Sequence, residues 1–284
     1  MDVRKLENGF DVVFGTGPLG LAVMDELLKR NKDVVLVNRS GKAPIVHDRV
    51  RVVKCDALDQ KSVISVCQGA TTIYHCIGLP YTEWKEKLST IMDNLIEGAS
   101  QANAKIVYGD NLYAYGPQNQ PLTEDLQYNP VGVKTRIRAE VATKLMNAHH
   151  SGKVIATIGK GSDFYGPRVI NSVLGNRVFE HLLKDKKVEL IGNPNRKHSH
   201  IFIEDFARGL VTLGNEEKAN GEIFHLPHEE AKTNVDLVNI VAKKLSVEPK
   251  FRIANTFIVK VGAVFSPFLK EMKELMYQHT NDFI

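Results

Sequence analysis

The sequence contains only three cysteines and no long apolar run. Its three cysteines, Cys55, Cys67 and Cys76, show no C-x-x-C spacing and lie in or beside apolar segments. This pattern predicts reduced, buried thiols and excludes a disulfide or zinc framework. No segment reaches the run of about 18 apolar residues that a membrane span requires, and the first ten residues lack the apolar core of a signal peptide. These absences predict a cytoplasmic protein that does not cross a membrane.

The chain also lacks a large excess of either charge. Its formal net charge is +4 at pH 7, and acidic residues interrupt basic clusters such as Lys184, Lys186 and Lys187. Nucleic-acid binding needs a continuous basic surface, so we expect the chain to bind no nucleic acid. With 284 residues, of which 43% are hydrophobic, the chain is long enough for one large α/β domain with a smaller lobe attached.

Short apolar segments alternate with longer amphipathic ones over much of the sequence. Because parallel strands need crossover helices, this alternation predicts an α/β protein with a Rossmann-type doubly wound parallel sheet. We expect a dinucleotide-binding core at 1–165 and a smaller C-terminal substrate lobe at 166–284, with the segment at about 190–226 returning to the core. Strands are predicted at 11–14, 33–37, 50–56, 70–78, 105–110 and 154–159, and helices at 18–30, 59–68, 84–103 and 131–150.

A glycine-rich turn, GTGPLG, lies between the first predicted strand and the first predicted helix. In the pattern G-x-G-x-x-G, Gly15 makes the tight turn, Gly17 lets the backbone approach a pyrophosphate, and Gly20 lets helix and strand pack closely. Pro18 suits the first helical position, and the helix start supplies unpaired N–H groups to an anion. The turn, including Leu19, is therefore a predicted cofactor site, with a purely structural turn as the alternative.

The end of the second predicted strand, VLVNRS, bears on the choice of cofactor. An acidic residue at this place hydrogen-bonds the adenine ribose and disfavours a 2′-phosphate. Here Asn38 is neutral, Arg39 can bind a phosphate in bidentate fashion, and Ser40 adds a hydroxyl donor. We therefore expect NADP(H) to be favoured over NAD(H), unless Arg39 is only an exposed surface residue.

Further motifs resemble one known family along nearly the whole chain. The segments VYGDNLYAYGP at 107–117, GKGSDFYGPR at 159–168 and FIEDFARGL at 202–210 resemble the extended branch of the short-chain dehydrogenase/reductase superfamily, which includes nucleotide-sugar epimerases, dehydratases and related reductases. This resemblance implies cofactor contacts from Asp56 after the third strand and from Cys76, Ile77 and Gly78 after the fourth. It also implies a possible homodimer that pairs through the helices at 84–103 and 131–150.

The sequence departs from this family at the positions that carry catalysis. In the family, a Tyr-x-x-x-Lys dyad supplies the proton donor and the lysine that binds the nicotinamide ribose. When Glu140 is aligned with the acidic residue of the family pattern, Gly132 takes the tyrosine position and Arg136 the lysine position. Asn111 falls where the family has serine or threonine. The Tyr-x-x-x-Lys match at Tyr81–Lys85 follows the fourth strand, and we interpret it as a chance match.

Four residues are candidates for catalysis. Asn111 can hydrogen-bond a substrate carbonyl, Tyr113 and Tyr115 can donate a proton, and Lys134 can bind ribose or polarise an oxygen. The alternatives are that the tyrosines only pack under a loop and that Lys134 is solvated.

The residues together favour an NADP(H)-dependent oxidoreductase of atypical short-chain type, acting on a small carbonyl or sugar-derived substrate. One alternative is a non-catalytic NAD(P)-binding sensor, and a second is an NAD(P)-dependent epimerase or dehydratase. The histidines His198 and His200 lack a third ligand nearby in the sequence, so we expect no metal site.

Overall fold

The computed structural model describes residues 9–172, 174–262, 264 and 272–284. Within these residues, no helix combines the length and the apolar character needed to cross a membrane. The strands are β1 (Phe10–Phe14), β2 (Val34–Asn38), β3 (Val50–Lys54), β4 (Ala70–His75), β5 (Lys105–Asn111), β6 (Ile155–Gly161), β7 (Asp163–Tyr165), β8 (Val188–Ile191), β9 (Lys197–His198), β10 (His200–Phe202), β11 (Ile223–His225), β12 (Lys232–Thr233) and β13 (Phe251–Ala254). The helices are α1 (Pro18–Lys29), α2 (Gln60–Cys67), α3 (Trp84–Ala102), α4 (Val133–His150), α5 (Asn176–Leu183), α6 (Ile203–Asn215), α7 (Asn234–Leu245), α8 (Thr256–Gly262) and α9 (Tyr277–Thr280).

The described residues form two compact units. The first unit comprises the residues up to Asn111, together with Ile137–Gly161 and Ile203–Pro227. The second comprises Leu112–Arg136, Ser162–Phe202 and the residues from His228 onward.

The first unit is built on a seven-stranded parallel sheet with the strand order β11-β6-β5-β4-β1-β2-β3. The order reverses between β1 and β4, and because crossover connections are right-handed, this reversal puts α1 and α3 on opposite faces of the sheet. Helix α1 packs against α6, and α2 packs against α3. The predicted Rossmann-type doubly wound sheet is therefore confirmed.

The central strands are apolar because helices cover both faces of the sheet. All five residues of β1 are buried, as are Val34–Val37 of β2. Asp11 is the one charged residue of β1, and its buried carboxylate accepts a hydrogen bond of 2.9 Å from the Thr71 hydroxyl. Burial raises the pKa of Asp11 above its usual value.

Four element boundaries differ from the sequence prediction by two residues or more. Strand β3 ends at Lys54, two residues earlier than predicted, and β6 ends at Gly161, two residues later. Strand β4 ends at His75, so the segment predicted as strand to residue 78 leaves the sheet after one last bond, from Cys76 N to Phe14 O at 2.9 Å. Helix α4 begins at Val133, two residues later than predicted. The Thr135 hydroxyl accepts bonds from the N–H groups of Val131 and Gly132, and this local turn replaces the first part of the predicted helix.

The second unit contains three small two-stranded sheets, β7 with β10, β9 with β12, and β8 with β13. Its main apolar cluster joins α5, β8 and α7. A second cluster contains Leu112, Tyr115 and Phe283, and Leu122 N donates to the Ile284 carbonyl at 2.7 Å. Residues near the chain's C-terminus are thus packed into this unit. The main cluster consists of Leu174, Val178, Leu182, Val188, Leu190, Val238 and Ala242.

Candidate functional site

The glycine turn follows β1 and opens α1 in the first unit. Gly15 has φ +114°, a conformation that L side chains rarely adopt. A Cβ at residue 20 would overlap the Gly15 carbonyl oxygen, whereas a Cβ at residue 17 would meet no atom within 4 Å. Gly17 is the N-cap of α1 and Pro18 is its first residue. Because glycine has no side chain to cap the helix, the first N–H groups of α1 are available to an anion.

The turn lies directly against the segment after β4. A Cβ at residue 15 would be 2.6 Å from the Cys76 carbonyl oxygen, so only glycine allows this approach. Cys76 is buried, Ile77 is half-buried and Gly78 is exposed. The structure therefore brings together two predicted cofactor-binding segments at the strand reversal, where open α/β sheets bind their ligands.

The loop after β2 is held together by its own side chains. Asn38 Oδ1 accepts bonds from Gly41 N at 2.6 Å and from the Ser40 hydroxyl at 2.9 Å. Asn38 Nδ2 donates to the Lys42 carbonyl at 2.8 Å and to the Thr16 hydroxyl at 3.3 Å. This arrangement joins the loop to the glycine turn. Both polar atoms of the Asn38 amide are thereby hydrogen-bonded to other groups of the protein.

Two exposed charged residues lie near this loop. Arg39 is exposed at the end of β2, so its guanidinium can reach a phosphate in solution. Asp56 is also exposed, and its Oδ1 accepts a bond of 3.0 Å from Leu58 N. Asp56 lies close to the Asn38 backbone, because the neighbouring Cys55 N donates to the Asn38 carbonyl at 3.0 Å.

Asn111, the last residue of β5, lies beside a buried ion pair. The Lys160 ammonium donates to Asp110 Oδ2 at 2.6 Å and to the Asn111 carbonyl at 3.2 Å. Both charged side chains of the pair are fully buried. Asp110 and Lys160 are partners in the register of β5 and β6, so strand pairing itself brings them together.

Arg138 on α4 extends this charged cluster. Its Nη1 donates to the Tyr108 hydroxyl at 2.6 Å and to Asp110 Oδ1 at 3.2 Å. Its guanidinium also lies 4.0 Å from the ring centroid of Trp84, in a cation–π contact. The Tyr108 ring stacks on His75 with centroids 4.7 Å apart. Aromatic rings and one carboxylate thus hold the buried guanidinium.

The cluster has perturbed acid–base properties. Burial opposes ionisation of Asp110, but the Lys160 ammonium and the Arg138 guanidinium outweigh burial and hold the pKa of Asp110 below its usual value. Burial lowers the pKa of Lys160, although Asp110 opposes this shift. Burial, assisted by the Arg138 charge, lowers the pKa of His75 to about 3. His75 is therefore neutral at physiological pH.

The two candidate tyrosines lie in a 3-10 turn, Tyr113–Tyr115, of the second unit. Tyr115 is fully buried in the cluster of Leu112 and Phe283, and its ring meets that of Tyr128 edge-on at 5.3 Å. Tyr113 is also buried, and its carbonyl accepts a bond of 3.4 Å from the Tyr277 hydroxyl. The packing gives Tyr115 a core role, and proton donation by either residue stays a prediction.

Lys134 is buried at the start of α4, where it meets a carboxylate from the C-terminal part of the chain. Glu274 Oε1 accepts bonds from Lys134 N at 2.6 Å and Thr135 N at 3.2 Å. Glu274 Oε2 lies 3.6 Å from the Lys134 ammonium. The burial of Lys134 does not fit the alternative that this side chain is solvated, whereas Arg136 is exposed.

A group of histidines lies in the second unit around Asp163. His198 Nε2 is 3.2 Å from Asp163 Oδ2, and the rings of His200 and His279 lie 4.8 and 6.0 Å from the His198 ring. Burial and the neighbouring His198 lower the pKa of His200 and that of His279 to about 4 each. In the part of the chain that the structure describes, no group of His, Cys, Asp or Glu side chains is arranged to hold a metal ion.

Sequence reasoning missed Lys160, Arg138 and Glu274. A charged residue near the end of each of two neighbouring strands, Asp110 in β5 and Lys160 in β6, was a signal for the buried pair. No sequence signal pointed to Glu274, because its partner Lys134 is 140 residues away in the chain.

A comparison with protein families finds a match over most of the chain. The model of the NAD dependent epimerase/dehydratase family matches residues 12–226. This range runs from β1 through β11 and therefore covers nearly the whole seven-stranded sheet.

Individual relatives are distant. A UDP-N-acetyl-alpha-D-glucosaminuronate decarboxylase from Bacillus cytotoxicus is 22% identical over 241 residues, which cover 77% of this chain and 74% of that protein. The structure of a UDP-glucuronic acid 4-epimerase from Bacillus cereus in complex with NAD has a TM-score of 0.77 at 18% identity, covering 95% of this chain and 96% of that one. A dTDP-glucose 4,6-dehydratase from Streptomyces venezuelae with bound NAD has a TM-score of 0.76 at 20% identity, covering 86% and 83%. These structures share the fold.

Proposed function

We propose that this chain, which belongs to the NAD dependent epimerase/dehydratase family, binds a nicotinamide dinucleotide and performs hydride transfer on a nucleotide sugar. The observation that carries the proposal is the junction of Gly15 with the Cys76 carbonyl, beside the open backbone at Gly17. Relatives and structural neighbours described as nucleotide-sugar enzymes support this choice over a simple carbonyl substrate.

The cofactor, when bound, accepts or donates a hydride. The first N–H groups of α1 would hold its pyrophosphate, and the segment Cys76–Gly78 would line its nicotinamide half. Asp56 would contact the adenine end. Asn111 would hydrogen-bond a sugar oxygen, with its backbone held in place by the bond from Lys160 to its carbonyl.

Groups of the second unit are proposed to act on the substrate. Lys134 would bind an oxygen that carries or develops negative charge, and Tyr113 would exchange a proton. The substrate-binding role of this unit is part of the proposal.

We infer a preference for NADP(H) from Arg39, although the two structural neighbours above contain NAD. Asn38 replaces the acidic residue that binds a ribose diol, and its amide is already engaged with Gly41 and Lys42. The exposed Arg39 is the group left to contact a 2′-phosphate.

A second candidate function is cofactor binding without turnover. The glycine at position 132, which takes the place of the family tyrosine, favours it, because this chain then lacks the usual proton donor. Homodimer formation through α3 and α4 also stays a prediction, which light scattering would test.

The test is a calorimetric titration with NADP(H) and NAD(H), followed by incubation of the loaded protein with UDP- and dTDP-sugars and product analysis by NMR. Binding with a converted sugar supports the proposal. Binding without conversion of any sugar supports the second candidate, cofactor binding without turnover. If neither dinucleotide binds, both candidate functions are overturned.

A further inference from the structure

Gly132, the residue just before α4, has an unusual steric environment. An ideal Cβ built on Gly132 would overlap the Glu274 side chain, both its methylene and its carboxylate carbon. Any residue with a side chain at this position, tyrosine included, would therefore have to displace Glu274. The Glu274 carboxylate can therefore occupy this place because residue 132 is glycine and not the tyrosine of the family.

Glu274 uses both of its oxygens at this place. Oε1 accepts the two N–H groups of Lys134 and Thr135, which are among the helix-start donors that have no partner within the helix. Oε2 faces the Lys134 ammonium at 3.6 Å. A carboxylate at a helix N-terminus is also favoured by the helix dipole.

The pair is shielded from solvent. The Lys134 side chain is 8% exposed and that of Glu274 is 18% exposed, so salt and water screen their attraction less than that of a surface pair. The position of Glu274 is itself fixed, because it belongs to the 3-10 turn Lys273–Leu275 and Leu275 is buried. The Lys134 ammonium therefore has a defined place and a charged partner.

We propose that Glu274 is a positioning residue that holds Lys134 for catalysis in the space left by the missing tyrosine. This inference rests on the proposed function. In this proposal, Glu274 and Lys134 lie at the start of α4, where the family has its Tyr-x-x-x-Lys dyad. Lys134 is the group that contacts the substrate. Glu274 acts only through Lys134.

The experiment uses the full chain and the matched variant Glu274→Gln. The glutamine Oε1 can still accept both backbone N–H groups, so we expect the variant to fold with an unchanged cofactor affinity. Its Tm should be slightly lower, because the charge that faces the helix dipole and Lys134 is lost. Loss of the negative charge frees Lys134, so kcat for the sugar substrate falls about tenfold while KM stays within about twofold. In a Lys134→Met background the same change has no further effect on kcat. The proposal is overturned if kcat is unchanged in Glu274→Gln. It is also overturned if Glu274→Gln lowers kcat by the same factor in the Lys134→Met background as in the wild type.

A second measurement separates this inference from the proposed function. If the wild-type protein converts no nucleotide sugar, the proposed function fails, and the acetylation rate of Lys134 still reports on Glu274. An ammonium held by a carboxylate reacts slowly with acetic anhydride, so peptide mass spectrometry should show a several-fold faster reaction in Glu274→Gln. The exposed carboxylate of Glu140 on the same helix provides the control, Glu140→Gln, with no change. An equal Lys134 rate in wild type and Glu274→Gln overturns the positioning role. Unfolding of the Glu274→Gln variant also overturns it, because Glu274 would then be a structural residue.

Discussion

Lys160 Nζ lies 2.6 Å from Asp110 Oδ2, and both side chains are completely buried. The same carboxylate accepts a bond from Arg138 at 3.2 Å, so one anion is shared between two buried cations. Because Lys160 also donates to the Asn111 carbonyl, the cluster fixes the backbone at the end of β5.

Asp110→Asn should destabilise the protein more than Lys160→Met does. The first change leaves Lys160 and Arg138 side by side without an anion, whereas the second leaves Asp110 paired with Arg138. We expect a loss of about 3–5 kcal/mol in the free energy of unfolding for Asp110→Asn and about 1–3 kcal/mol for Lys160→Met. Urea titrations measure both. The double variant should be more stable than Asp110→Asn alone, and the opposite order would contradict this account.

Gly17→Ala should weaken cofactor binding without affecting the fold. Residue 17 has φ −74°, which any residue adopts, and a Cβ there meets no atom within 4 Å. A methyl group would stand between the backbone and the pyrophosphate, so we expect affinity to fall about tenfold or more. Calorimetry measures the affinity, and the Tm without ligand should match wild type. Lys29→Gln, at the exposed far end of α1, is the control. Unchanged affinity in Gly17→Ala would mean that the turn has only a structural role.

Arg39→Gln should weaken NADPH binding selectively. A guanidinium bonded to a phosphate contributes roughly a 10- to 100-fold gain in affinity, and NADH offers no phosphate at this place. We expect NADH affinity to change by less than about twofold, since only the 2′-phosphate contact is lost. Parallel titrations of both cofactors measure the difference, with Arg51→Gln on the exposed side of β3 as the control. Equal weakening of both cofactors would remove the phosphate interpretation.

The buried histidines should make stability depend on pH in the mildly acidic range. His279 has its pKa lowered from 6.5 to about 4, so between these values the unfolded chain binds a proton that the folded chain does not. Its stabilisation is therefore complete above pH 6.5 and is lost as the pH falls toward 4. The groups that face it, His198 and Asp163, are unchanged in His279→Phe.

We expect His279→Phe to reduce the slope of unfolding free energy against pH by about 1.2 kcal/mol per pH unit between pH 6 and 5. Urea titrations at several pH values measure the slope. His228→Asn, at an exposed histidine, should leave it unchanged. A wild-type slope in His279→Phe would show that His279 is not held neutral by burial.

The order of elements along the first unit could be read from the sequence, because local periodicity and turn residues determine it. The apolar runs at β1 and β2 and the amphipathic segment at α1 predicted these two strands and this helix. Each of their ends agrees with the structure to within one residue. The glycine turn was visible for the same reason, since its spacing and its flanking elements all lie within 20 residues.

Contacts between distant segments were decided only by the tertiary structure. The register of β5 and β6 brings Lys160 to Asp110, and packing of the C-terminal residues brings Glu274 to Gly132 and Lys134. Neither pairing leaves a trace in local periodicity, because it depends on which strands become neighbours and on where a distant segment packs. The sequence by itself thus determined the Rossmann sheet and its glycine turn, whereas long-range packing decided which charges are buried and which carboxylate meets the start of α4.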